Sequence, residues 1–164
     1  MEYQIVKLLA EQGKTVATAE SCTGGLVSAR LTGVSGSSRV FGTGVVSYSV
    51  DCKEKLLQVS PVTLKEKGAV SAAVAGQMAR GVCRLGQADI GVSVTGEAGP
   101  NPSEQPVGTV FIALADHSRT WVQELHLQGE RESIRRQAAD EVLHLLYRYL
   151  AAYPALLDGG EENV

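Results

Sequence analysis

The chain has no excess of basic residues. Its 15 Lys and Arg face 18 Asp and Glu, for a formal charge of −3 over 164 residues. Non-specific attachment to nucleic acid therefore has no electrostatic support at the level of the whole chain. No apolar run approaches the roughly 18 residues that span a bilayer. The opening stretch MEYQIVKLLAEQGK has an acid at position 2 and no small-residue cleavage site, so it does not read as an export signal. Cysteine is scarce: Cys22, Cys52 and Cys83 are odd in number and lack metal-ligand spacing, which predicts free thiols in a reducing cytoplasm and no metal site. Histidine is scarcer still as a catalytic resource. His117 falls in a turn, His126 on the polar face of a strand and His144 in mid-helix, which argues against a Ser-His-Asp triad.

What is present is an ordinary globular composition, 44% apolar and 20% charged, in a length suited to one core. A short helix runs from Glu2 to a stop at Gly13, and TVATA (15–19) reads as a buried strand. A helix follows from about Gly25 to Leu31. Val40 to Ser49 is β-rich, with Val46 and Tyr48 expected on one face, and a turn of helix is expected near Lys53 to Leu57. Ser60-Pro61 is a helix start that Gly68 ends, and Ser71 caps a helix carrying Val74, Met78, Val82 and Leu85 at helical spacing. Strands are expected over 89–95, 107–113 and 120–127. A last helix begins near Glu130, with Ile134, Ala138, Val142, Leu145 and Tyr149 as its buried stripe, and Pro154 is expected to stop it. Alternating elements of this kind give an α/β class with helices covering a mainly parallel or mixed sheet, the two late strands making part of it antiparallel. The expected organisation is one domain over 1–153 and a disordered tail over 154–164.

Three loops rich in glycine and hydroxyls are read as following strands: Glu20 to Gly25 (ESCTGG), Gly36 to Ser38 (GSS) and Thr95 to Pro100 (TGEAGP). Ligands of open α/β sheets settle outside the carboxyl ends of strands, and helix N-termini attract anions, so the first loop is a candidate anion cradle. The alternative is a tight turn in which Thr23 only caps a helix. Neither a P-loop nor a GxGxxG spacing is present. Lys53, just after Ser47-Tyr48-Ser49, is a candidate base if burial depresses its pKa; otherwise it is a surface lysine. Cys22 is either a thiolate nucleophile or a buried structural thiol. Arg131 opens the last helix at the end where a cation is unfavourable, which suits an anion-holding role.

These stretches together resemble the C-terminal domain of the CinA family, the nicotinamide mononucleotide deamidases. The resemblance is carried by T-AESCTGG (18–25), GSS (36–38), G-VVSYS (44–49), Lys53, GAVS (68–71), SVTG-AGP (93–100), PVGTV (106–110) and G-R---R (129–135). It implies a three-layer α/β/α fold and an oligomeric cytoplasmic enzyme without metal or organic cofactor. The implied reaction is hydrolysis of the carboxamide of nicotinamide mononucleotide by a Ser/Lys-type amidase. Carried onto this chain, the polar pocket falls on Ser21, Ser38, Tyr48, Lys53, Thr95 and Arg131, with Glu20, Thr23, Gly24 and Gly25 along the same loop. Ser38 is taken as the nucleophile and Ser21 as its rival. Lys53 relays the proton, through Tyr48, and backbone N–H groups at Thr95 to Gly96 serve the oxyanion.

Three departures stand out: Glu97 where many relatives carry an aliphatic residue, Val50 where they commonly carry asparagine, and a short loop after Pro100, NPSEQP, without the paired glycines often present there. The extra carboxylate is expected to repel a phosphorylated substrate unless Arg131 or Lys53 neutralises it. The competing reading is an inactive paralogue that binds a nucleotide or a protein partner. A third, suggested by the family's competence- and damage-inducible name, is a partner in DNA recombination, though the acidic chain has no basic stripe for DNA.

Overall fold

A computed structural model describes residues 1–158. The elements run α1 (Glu2–Glu11), β1 (Val16–Glu20), α2 (Leu26–Thr32), a 3-10 turn (Ser37–Arg39), β2 (Phe41–Val46), α3 (Val50–Leu57), α4 (Pro61–Lys67), α5 (Ala72–Leu85), β3 (Ile90–Gly96), β4 (Thr109–Ala115), β5 (Thr120–His126) and α6 (Arg131–Asp158). The strands form one sheet in the order β2-β1-β3-β4-β5. β1 is parallel to both β2 and β3, with Glu20 opposite Val46 on one side and Val94 on the other. β3–β4 and β4–β5 are antiparallel. The class is therefore α/β with a mixed sheet.

Strand alternation sorts the two faces. Ile90, Val92, Val94, Val110, Ile112 and Leu114 point to one side, where they join Ile5 and Leu9 of α1, Val27 and Leu31 of α2, and Ile134, Val142 and Leu146 of α6 in the main core. On the opposite face β3 carries the smaller Gly91, Ser93 and Thr95, so α5 can approach closely. Ser93 Oγ donates to the Ala75 carbonyl at 2.6 Å, and a Cβ on Gly91 would lie 2.1 Å from Ala79 O. α3, α4 and α5 cover this side, which gives the three layers.

The capping serines act locally as their sequence suggests: Ser60 Oγ accepts from Thr63 N and Ser71 Oγ from Val74 N, each at 3.3 Å. Other boundaries move. β2 ends at Val46, so Tyr48 does not share its pleat, and Ser49 instead caps α3 by accepting from Cys52 N. α3 begins at Val50, a turn earlier than expected. α6 continues through Pro154 to Asp158, because proline removes one N–H from the helix ladder yet its φ is already near the helical value. Of the tail expected to be disordered, residues 154–158 thus belong to α6, and 159–164 lie outside the described residues.

Candidate active site

β1, β2 and β3 run parallel, so their carboxyl ends open on the same edge of the sheet, and there a cavity of about 280 Å³ has formed. β1 delivers Ser21 to its floor, where the Ser21 N–H donates to the Val94 carbonyl at 3.0 Å and continues the ladder one residue past the strand. β2 delivers Ser47 alongside, its N–H bonded to Glu20 O at 2.8 Å. α3 then turns back and inserts Lys53, whose side chain is 2% exposed. Lys53 Nζ lies 2.6 Å from the Ser47 carbonyl and 3.1 Å from Ser21 Oγ. Burial lowers the Lys53 pKa below its ordinary 10.5, with Cys22, Cys52 and Glu104 opposing the shift. No carboxylate forms an ion pair with it among the described residues. An amine so placed, once neutral, can donate to Ser47 O and present its lone pair to the Ser21 hydroxyl.

The cavity also gathers Tyr48, Thr95, Gly96 and Arg131. Thr95 Oγ1 donates to the Ala69 carbonyl at 2.9 Å, tying β3 to the segment before α5. Tyr48 is 62% exposed at the mouth, and its hydroxyl accepts from Arg131 Nη2 at 3.0 Å rather than contacting Lys53. Arg131 Nη1 donates to the Gly99 carbonyl. Its guanidinium therefore stands at the rim.

Several expected site residues fall elsewhere. Ser38 sits in the 3-10 turn that precedes β2, hence at the amino end of a strand whose carboxyl end carries the cavity. The six residues of β2 separate the two ends by about 20 Å at 3.3 Å per residue. Glu20, Thr23, Gly24 and Gly25 do not line the cavity either. The Glu20 carboxylate is 1% exposed and accepts from Thr23 Oγ1 (2.6 Å), Gly25 N (3.0 Å), Val27 N (3.1 Å), Ser28 N (2.8 Å) and Ser28 Oγ (2.7 Å). The cradle read from ESCTGG does bind an anion, but the anion is the chain's own. α2 has Gly25 as its N-cap and no capping side chain, so Glu20 supplies the acceptors its first N–H groups need. Gly24 and Gly25 have φ of +60° and +105°, which allows the loop to fold over that carboxylate. Burial pushes the Cys22 thiol up to about 12, so it is not a thiolate at neutral pH. His117, His126 and His144 lie outside the cavity.

Glu97 is held neither by Arg131 nor by Lys53. Burial alone would raise its pKa, but Glu104 N (2.9 Å), Ser103 Oγ (3.0 Å) and Ser103 N (3.3 Å) all donate to Oε1, and the net effect is a lowered pKa and an ionised group. Two residues escaped sequence reasoning. Glu104 lines the cavity and accepts from Val70 N at 2.9 Å. Arg135, one helical turn after Arg131, donates to the carbonyls of Cys22 (2.9 Å) and Thr23 (3.1 Å) and fixes the loop behind Ser21. The second arginine of G-R---R was the available signal.

The model of the CinA C-terminal domain family matches residues 1–150. The chain belongs to that family. It is 48% identical over 152 residues to a putative competence-damage inducible protein of Acetivibrio thermocellus, covering 92% of this chain and 37% of that one. It is 47% identical over 148 residues to a CinA-like protein of Geobacter sulfurreducens, with 89% and 36% covered. The chain thus spans little more than a third of the length of these relatives. Among solved structures, a CinA superfamily protein from Klebsiella pneumoniae superposes with a TM-score of 0.89 at 34% identity, covering 92% of this chain and 95% of the other. A competence/damage inducible protein from Agrobacterium tumefaciens gives 0.86 at 37% identity, with 90% and 92% covered.

Proposed function

We propose that this CinA-family chain is a Ser/Lys amidase that hydrolyses the carboxamide of nicotinamide mononucleotide to nicotinic acid mononucleotide and ammonia. The observation that carries this reading is the buried Lys53 amine, unpaired by any carboxylate among the described residues, 3.1 Å from Ser21 Oγ on the floor of the cavity. In the proposed sequence neutral Lys53 takes the Ser21 proton as Oγ attacks the amide carbon, and the resulting ammonium gives that proton to the departing nitrogen. A water molecule then attacks the acyl-serine with Lys53 again as base. The water oxygen ends in the product carboxylate, and Ser21 regains its proton. Ser21 replaces Ser38 as the nucleophile because only Ser21 is within reach of the lysine.

An oxyanion donor is consistent with the strand register. Glu97 N–H bonds the Thr109 carbonyl across the β3–β4 ladder, so the alternation of antiparallel pairing turns the preceding Gly96 N–H away from β4, toward the Ser21 side. Arg131 at the rim suits the substrate phosphate. The test is ammonia release from nicotinamide mononucleotide by the purified chain, with Lys53→Ala as control. The expected result is release that is lost in the control. A folded protein that binds the nucleotide and releases no ammonia would refute the amidase reading in favour of a binding-only paralogue.

A further inference from the structure

The two edges of the sheet differ. β5 carries Glu124 and His126 at exposed positions, the kind of side chain that keeps an edge from pairing. β2, FGTGVV, has no charge and no proline, none of its six residues is buried, and among the described residues no strand lies on its outer side. The Ser47 N–H bonds Glu20 O, so along the ladder the N–H and C=O groups of Gly44 and Val46 point away from β1. Apolar side chains continue the edge at its carboxyl end, where Val46 is 48% and Val50 50% exposed on either side of Tyr48. The charges sit at the two ends. Arg39, in the turn before β2, is exposed and makes no ion pair among the described residues; Asp51, in the first turn of α3 after β2, meets only the exposed Lys55. A reversed copy of this edge therefore sets a cation against an acid at both ends.

We propose that β2 pairs antiparallel with β2 of a second copy across a two-fold axis at Gly44, joining the two five-stranded sheets into one, and that this pairing brings Arg39 of each copy to the cavity rim of the other. The axis is permitted by the ladder, since residues that exchange both bonds need outward N–H and C=O groups on each strand, and Gly44 meets that condition against itself. Counted outward from Gly44, the partner's Arg39 comes alongside the segment Tyr48 to Val50. Tyr48 and Val50 line the cavity, and a paired strand lies about 4.8 Å away, within reach of an arginine side chain. A guanidinium has five donors, so the partner's Arg39 can face Asp51 and an anion in the cavity mouth together. The proposal rests on the amidase reading only for the identity of that anion, the substrate phosphate beside Arg131. The turn that holds Arg39 stands at the far end of β2 from its own cavity, and it serves the cavity of the other copy.

Sedimentation velocity of the full chain over a micromolar concentration series is expected to give a dimer, twice the 17.3 kDa of one chain, which Val46→Lys converts to monomer by placing a charge on the edge. In the parent chain the N–H groups of Gly44 and Val46, which face outward in a single copy, are expected to exchange slowly with deuterium. Nicotinamide mononucleotide, titrated calorimetrically into the Ser21→Ala chain, is expected to bind about tenfold more weakly at low salt when Arg39→Ala is added, with the dimer intact. A monomer throughout, a dimer that survives Val46→Lys, or rapid exchange at Gly44 and Val46 would overturn the pairing. No binding, or an affinity unchanged by Arg39→Ala, would overturn the shared rim. If Val46→Lys does not fold, mass and exchange in the parent chain decide. A dimer with Arg39-dependent binding and no ammonia release refutes the amidase reading and leaves the shared rim standing.

Discussion

Glu20→Gln is the perturbation that most directly separates a structural role for the ESCTGG loop from a substrate-binding one. The substitution keeps the side chain's shape and turns one acceptor oxygen into an NH2 group. If the nitrogen replaces Oε2, the N–H groups of Gly25 and Val27 both lose their acceptor; if it replaces Oε1, only the Ser28 N–H does, because the Ser28 hydroxyl can turn to accept. The second arrangement is the cheaper one. A stranded buried N–H costs about 1–3 kcal/mol, and the bonds that remain fall from charge-assisted to neutral strength, about 1 kcal/mol more in sum. The expected loss is about 3 kcal/mol, which for a domain of this size lowers Tm by roughly 6–12 °C.

Urea unfolding followed by circular dichroism at pH 7 measures the first number and a thermal scan the second. A Glu20→Gln protein within about 0.5 kcal/mol of the parent, the range of ordinary surface substitutions, would refute the anchoring role. A normal stability combined with a raised KM for nicotinamide mononucleotide would instead place Glu20 against the substrate.

Further outcomes bear on Ser21, Ser38 and Lys53. Ser21→Ala is expected to lower kcat by roughly 10⁴-fold or more, as loss of a serine nucleophile does elsewhere, while Ser38→Ala leaves turnover near the parent value; the reverse pattern in steady-state kinetics would restore Ser38 as nucleophile. In the proposed mechanism the neutral amine is the active form, so kcat/KM is expected to rise with pH through a midpoint below 10.5, and a flat profile or a midpoint at or above 10.5 would remove Lys53 as base. Folded Lys53 releases its proton at lower pH than the unfolded chain does, so the unfolded state binds more protons between the two values and stability rises with pH across that window. Lys53→Met is expected to abolish this rise, to abolish turnover, and to be more stable than the parent at pH 7 by chemical denaturation.

Features fixed by neighbours in the chain were the readable ones. Ser60-Pro61 and Ser71 announce helices because a cap and its N–H partner are three residues apart, and the main core follows from period-2 strands and the 3.6-period stripe of α6. What failed depended on which end of the sheet a loop occupies. GSS lies before the β-rich stretch 40–49, so in a parallel arrangement it falls at the end opposite to the loops that follow β1 and β3; the order was visible, but hydroxyl content outweighed it. Glu20 was misplaced for a different reason. A carboxylate beside glycines looks like a ligand contact until the orphan N–H groups of α2 are counted, and Gly25 as N-cap offers them no side-chain acceptor. The burial of Lys53 could not be read at all from its own neighbourhood, Asp51 to Leu57, since it depends on β1 and β2 lying side by side.

The two buried charges next to the floor of the cavity are treated in opposite ways, and the proposed amidase chemistry rests on that difference. Glu20 is surrounded by five donors from its own loop and helix, so its ionised form is fully solvated by the protein and its position is rigid. Lys53 receives one carbonyl and one hydroxyl, which is fewer acceptors than an ammonium requires. Its charged form is therefore the destabilised one, and a proton acceptor is produced by withholding partners rather than by adding them. A site of this kind needs a frame that does not relax around the lysine to hydrate it. The Glu20 anchor holds the loop from in front, and Arg135, bonded to the carbonyls of Cys22 and Thr23, holds it from behind. Loosening either is expected to raise the Lys53 pKa toward 10.5 by admitting water. The stabilising interactions of ESCTGG and the strained protonation state of Lys53 are thus parts of one arrangement, in which the loop's own satisfied anion keeps Ser21 next to an unsatisfied cation.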